Sequence, residues 1–102
     1  MNKYQYNIVR IDKDIELLAK EFIKNRKNDI KLIEKNIANK NLAEITNIAH
    51  KIKGTSGCYG FDELSIIGNK LGKAASKGNL SEVIVFVKQL ADFIKYLKIE
   101  FN

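Results

Sequence analysis

Towards the C-terminal end of the chain, Val83, Phe86, Val87, Leu90, Phe93, Ile94 and Leu97 recur at intervals of three and four residues. This is the period of one face of an α-helix, and it predicts a helix over residues 80–99. A helix with so long an apolar face has to bury it against other elements. The rest of the chain supplies them. Behind Asp12, a candidate cap, Ile15, Leu18, Phe22 and Ile23 follow helical spacing. The polar run 25–28 reads as a break or bend. A second helix carries Ile30, Ile33, Ile37 and Ala38 and ends near Asn39. Asn41 followed by Glu44, and Asn79 followed by Glu82, have the form of capping boxes. They start a third and a fifth helix. Gly60 closes the third, Asp62 caps the fourth and Gly78 stops it. Connections this short imply antiparallel neighbours. The expected fold is all-α, an antiparallel up-and-down four-helix bundle with an additional N-terminal helix. Residues 1–102 are expected to form a single domain. Residues 1–11 either pack against the end of the bundle or are flexible.

Composition agrees with helices and narrows the function. The chain has 102 residues, 45% of them hydrophobic, and no proline. The apolar stretch 83–87 is far too short to span a bilayer, and no charged-then-apolar leader opens the chain. A single cysteine, Cys58, excludes an intramolecular disulfide. These features favour a reducing cytoplasm. The formal net charge is +6. The lysines are spread over every segment and interleaved with Glu and Asp, and Arg10 and Arg26 are the only arginines. That pattern fits a solvated surface first, steering towards an acidic partner second, and nucleic-acid binding least.

The stretch most informative about function is Ala49-His50-Lys51-Ile52-Lys53-Gly54-Thr55-Ser56-Gly57-Cys58-Tyr59-Gly60. On a wheel of about 100° per residue, Ile45, Ile48, Ala49, Ile52, Ser56 and Tyr59 gather on one arc, with Thr55 at its edge. His50 falls on the opposite side with Lys53, Gly54 and Gly57, and with Thr46 and Asn47 a turn earlier. A lone histidine is ordinarily a satisfied core or surface residue. Here its neighbours weaken that reading. A glycine inside a helix costs about 1 kcal/mol relative to alanine, and Gly54 and Gly57 lie where no packing demands them. They strip side chains away from the imidazole, as a close-approaching partner would require. Lys51 and Lys53 add positive charge suited to an anion. No second histidine or cysteine pair offers a metal site. Thr55 and Ser56 face the core, where a hydroxyl bonds a carbonyl one turn back rather than acting as a nucleophile. No glycine-rich phosphate loop follows a strand. An exposed histidine acting as a nucleophile towards phosphorus remains.

The string His50-Lys51-Ile52-Lys53-Gly54-Thr55-Ser56, with Gly60 and Leu64 after it and the run Leu71-Gly72-Lys73-Ala74-Ala75 further on, resembles the histidine-containing phosphotransfer (HPt) domain. The resemblance runs from about Asp12 to Leu97. It implies a phosphorelay intermediate in which His50 accepts a phosphoryl group from a receiver-domain aspartate and passes it to another receiver. It implies no kinase or ATP site, no cofactor and no metal of the chain's own, the receiver supplying the acidic pocket and the Mg²⁺. Lys53 would stabilise the phosphoryl charge, with Lys51 as a weaker second. Thr46, Asn47, Gly54 and Gly57 on the third helix would meet the partner, with Ser65, Asn69 and Gly72 on the fourth. Each of the latter three reads equally well as an ordinary solvent-facing residue. The expected partners are response-regulator receiver domains and a hybrid histidine kinase, with no nucleic acid and no membrane, and the chain is expected to act as a monomer. The start at Met1 favours a free-standing protein over a domain excised from a hybrid kinase.

One departure from the family pattern stands out. Many members place Gln or Glu where this chain has Gly72, and that side chain orients the histidine ring. Gly72 cannot. Gly68 and Gly72, with Ser65 and Ser76 alongside, either let two helices pack closely or leave the ring held only by water. The competing readings are a helical adaptor that binds a signalling partner without carrying phosphate, and a basic nucleic-acid binder.

Overall fold

The computed structural model describes residues 6–102, and it is helical for most of that length. A short strand β1 (Asn7–Ile11) leads through a 3-10 turn (Lys13–Ile15) into α1 (Glu16–Ala38). Then come α2 (Leu42–Ser56), a second 3-10 turn (Gly57–Tyr59), α3 (Asp62–Ser76), α4 (Leu80–Lys95) and a closing strand β2 (Leu97–Phe101). The four helices bury one core. Phe22 and Ile33 enter it from α1, Ile45, Ala49 and Ile52 from α2, Leu64 and Leu71 from α3, and Val83 and Leu90 from α4. Phe61, wholly buried in the α2–α3 connection, stacks on Phe22 with ring centroids 5.4 Å apart.

Both asparagines cap their helices, but the return bond of a capping box is absent, because the Asn41 and Asn79 backbone amides bond the Asn36 and Ala74 carbonyls instead. The Asn41 side chain accepts from the Glu44 amide at 3.2 Å and the Asn79 side chain accepts from the Glu82 amide at 3.1 Å. Asp62 is the first residue of α3 and caps nothing, since the N-cap position falls to Phe61, without a side-chain hydrogen bond. It lies in the first turn, where a carboxylate complements the helix dipole. α1 and α3 end alike. After α3, Gly78 takes φ 74° and the Asn79 amide reaches back to the Ala74 carbonyl at 2.9 Å. After α1, the Asn41 amide reaches the Asn36 carbonyl at 2.8 Å, and Lys40 occupies the left-handed position at φ 56°. Glycine suits that conformation and lysine does not.

Besides the Asp62 cap, the structure departs from the sequence expectation in two larger features. The polar run 25–28 does not break the first helix, and α1 continues through it, so one helix stands where two were expected. The reason is Arg26, which is buried together with Asp29. Its Nη1 donates to Thr55 Oγ1 of α2 at 2.9 Å, and its guanidinium lies 4.6 Å from the centroid of the Phe22 ring. Arg26 Nε and Asp29 Oδ2 are 2.9 Å apart, an ion contact off-line for a hydrogen bond, so that neither atom has a hydrogen-bond partner. Lys51 of α2 approaches Asp29 Oδ1 at 3.7 Å. A segment that is polar in sequence is thus an inward-facing electrostatic seam between α1 and α2.

The second departure is at the ends. α4 stops at Lys95, and residues 97–101 form a strand rather than further helix. β2 pairs in parallel with β1, in register from Asn7 with Leu97 to Ile11 with Phe101. Parallel strands need a long crossover connection, and here the four helices are that connection. Residues 7–11, left open by the sequence, are therefore an ordered strand whose Val9 and Ile11 pack on the core; residues 1–5 lie outside the described part of the chain.

Two stability measurements follow from these features. Asp29→Ala leaves the Arg26 guanidinium buried without its counter-ion and is expected to lower the unfolding free energy by about 3 kcal/mol, while an Arg26→Met/Asp29→Leu double variant loses less. Lys40→Gly is expected to raise it by up to about 1 kcal/mol. Chemical denaturation of each variant against the parent checks both.

Candidate functional site

α2 presents its apolar side to the core through Ile45, Ile48, Ala49, Ile52 and Ser56, all buried. His50 lies on the other side and is exposed. The hydroxyls of the same helix are occupied by its own backbone: Thr46 Oγ1 donates to Leu42 O at 3.0 Å, Thr55 Oγ1 to Lys51 O at 2.7 Å, and Ser56 Oγ to Ile52 O at 2.6 Å. The bonds of Thr55 and Ser56 to carbonyls one turn back are those expected from the sequence. Among the described residues no hydrogen bond reaches the His50 ring, which is presented without an orienting partner.

The glycines near the ring divide by environment. A Cβ built on Gly54 or Gly57 meets nothing within 4 Å, so both leave open surface along the α2 edge that carries His50. Gly68 of α3 is different. A Cβ there would stand 3.0 Å from the Lys53 amide nitrogen, 3.1 Å from Ile52 Cγ2 and 3.3 Å from Ala49 O. Here α3 comes so close to α2 that a side chain would meet its backbone. Gly72, one turn later and buried, faces the ring itself: its Cβ would lie 3.4 Å from His50 Cδ2 and 3.9 Å from Nε2. Of the two explanations for the small residues, close helix packing applies most tightly at Gly68; at Gly72 a Cβ would fit in ordinary van der Waals contact with the ring and, at 3.5 Å, with Ala49 Cβ.

Lys53 and Lys51 leave α2 in different directions. Lys53 is exposed, and its backbone carbonyl accepts from Ser65 Oγ of α3 at 2.9 Å. Lys51 turns towards α1 and Asp29. Asn47 is exposed and Thr46 half-buried, a turn before His50. Ser65 is half-buried and committed to the α2–α3 contact.

Between the ring and α3 lies a recess of about 190 Å³, lined by His50, Asn69, Gly72, Lys73, Ser76 and Lys77. It unites three residues expected from the sequence, His50, Asn69 and Gly72. It also includes Ser76, expected as part of the small-residue stripe, and two residues to which the sequence assigned no role, Lys73 and Lys77. A signal for the lysines existed: they sit at i and i+4 of one helix, directly after the glycine that opens the space.

The model of the Hpt domain family matches residues 17–98. The chain belongs to that family. The match spans all four helices, including His50 and the whole recess. Hpt domains carry phosphoryl groups in two-component phosphorelays, interact with receiver domains and kinases, and are phosphocarriers rather than enzymes with a catalytic site of their own. Comparison with curated proteins and with solved structures finds no match. Among the described residues no helix is long and apolar enough to cross a membrane.

The glycine environments predict opposite responses to alanine. Gly54→Ala and Gly57→Ala should each stabilise the fold by up to about 1 kcal/mol, since nothing obstructs the new methyl. Gly68→Ala should destabilise it, because a backbone amide and a carbonyl must move apart. Thermal unfolding of the three variants tests the contrast, and equal signs for Gly54 and Gly68 would refute it.

Proposed function

We propose that His50 is the phosphoacceptor of a phosphorelay intermediate, receiving a phosphoryl group from a receiver-domain aspartyl phosphate and returning it to a second receiver. The observation that carries this reading is the pairing of an exposed imidazole with unobstructed surface at Gly54 and Gly57, inside the span matched by the family. A protein surface can approach the ring there without displacing side chains.

In the forward step a lone pair on a ring nitrogen of the neutral imidazole attacks phosphorus. The bond between phosphorus and the aspartate oxygen breaks, and its electron pair remains on the carboxylate. The proton on the other ring nitrogen stays in place. Attack on phosphohistidine by the carboxylate of a second receiver reverses these events and frees the imidazole. The acidic pocket and the Mg²⁺ belong to the receiver. The chain's own part is to hold the nucleophile on a rigid helix, which converts diffuse encounter into in-line geometry, and to surround it with cations that offset the phosphoryl charge.

Lys53, on the same exposed side as His50, is the nearest candidate on α2 for that role. Lys51 is second, because Asp29 already draws its ammonium towards α1. Thr46, Asn47, Gly54, Gly57 and Asn69 form the docking margin, with Ser65 contributing through the α2–α3 contact. The excess of positive charge, +6, favours encounter with an acidic receiver surface. The chain is read as one module, acting as a cytoplasmic monomer.

Incubation with phosphorylated receiver domains and Mg²⁺ should add one phosphoryl group to the protein by intact mass, and His50→Gln should abolish it. Lys53→Met should slow transfer roughly tenfold with less effect on the fold. An adaptor that docks without carrying phosphate would stay unlabelled, and His50→Gln would leave its binding to the same receivers intact.

A further inference from the structure

We propose that the recess between His50 and α3 is a phosphoryl-holding subsite, in which Lys73 and Lys77 neutralise the group once it is on the ring. This inference rests on the phosphocarrier reading and assigns a role to residues outside it. The edge of the ring bearing Cδ2 and Nε2 borders Gly72, where a Cβ would just touch it, and the recess that His50 and Gly72 share is also lined by Asn69, Ser76 and the two lysines. A group bonded to Nε2 would therefore lie beside that space. Lys73 and Lys77 are exposed, and neither belongs to an ion pair among the described residues. Two lysines one turn apart repel each other slightly. Their place at the end of α3 offsets this, since cations suit a helix C-terminus. Asn69 and Ser76 add neutral donors. A dianionic phosphoryl group would satisfy the donors and relieve the repulsion together.

This arrangement gives Gly72 a positive use. A side chain as long as Gln there would occupy the recess and act on the ring. Glycine leaves the space to cations that act on the phosphoryl group instead. Control passes from the orientation of the imidazole to the charge of its cargo.

The subsite makes phosphoryl retention depend on α3 lysines and on salt. A direct competition reads this. Phosphorylated wild-type protein is mixed with unphosphorylated Lys73→Met/Lys77→Met protein and a trace of a receiver domain, with Mg²⁺, that labels the wild type. The phosphoryl group then equilibrates between the two, and intact mass gives the ratio. The plateau compares two phosphoproteins and is independent of how fast either docks. At low ionic strength the wild type should hold about threefold more phosphoryl group than the variant. In 1 M salt, where screening shortens to about 3 Å, the ratio should approach unity. Lys73→Arg/Lys77→Arg protein should compete evenly with wild type. An even ratio at low salt for the Met variant, or a preference unmoved by salt, would overturn the subsite while leaving His50 as phosphoacceptor. If no receiver labels the wild type, the phosphocarrier reading fails and the subsite with it.

Discussion

α2 and α3 can share a site only because Gly68 lets their backbones come together. The Lys53 amide and the Ala49 carbonyl lie where a side chain at position 68 would have to go. Contact this close fixes which residues of α3 face His50, because any larger residue would move the helix outward. Gly72 then falls beside the ring one turn further on, and Asn69, Lys73, Ser76 and Lys77 follow around it. The recess is thus a by-product of packing. The imidazole comes from one helix and its surroundings from the next, and a single missing methyl group holds the two in register.

The other flank of α2 is held by charge. Arg26 and Asp29 are removed from water between α1 and α2, and Thr55 and Lys51 reach them from α2. Such a pair contributes little net stability compared with a well-packed apolar equivalent, yet losing one partner is severe. It therefore penalises rotation or sliding of α1 against α2 more than it strengthens the contact. Under the proposed role of α2, presenting one side chain at a defined angle, resistance to rotation matters more than additional stability. The same seam divides the two flanking lysines, tying Lys51 to α1 and leaving Lys53 beside the exposed histidine.

Much of this was legible in the sequence, and the exceptions have physical reasons. The core faces of α2 and α4, the N-caps Asn41 and Asn79 and the exposure of His50 all follow from local periodicity and cap chemistry, which do not depend on distant partners. The unbroken α1 could not be read that way. Arg26 and Asp29 look like solvent-facing residues until Thr55, Lys51 and the Phe22 ring are brought against them from elsewhere in the chain. The strand β2 was hidden by Leu97, which fits the helical face of α4 as well as it fits the alternation Leu97-Lys98-Ile99-Glu100-Phe101. Only pairing with β1 decides between them. The recess lysines were missed for a similar reason: their neighbour, His50, lies on another helix.

The parallel pairing of β1 with β2 also shapes how the chain reaches this state. Helices form from neighbours in sequence and pack through short connections, whereas Ile11 has to find Phe101, 90 residues away along the chain. Closing so long a loop carries an entropic penalty that grows with the logarithm of its length. That penalty is smallest once the helices have packed and brought the ends together. Topology therefore favours a bundle that assembles first from local contacts, with the strands expected to act as a clasp that shuts last and opens first.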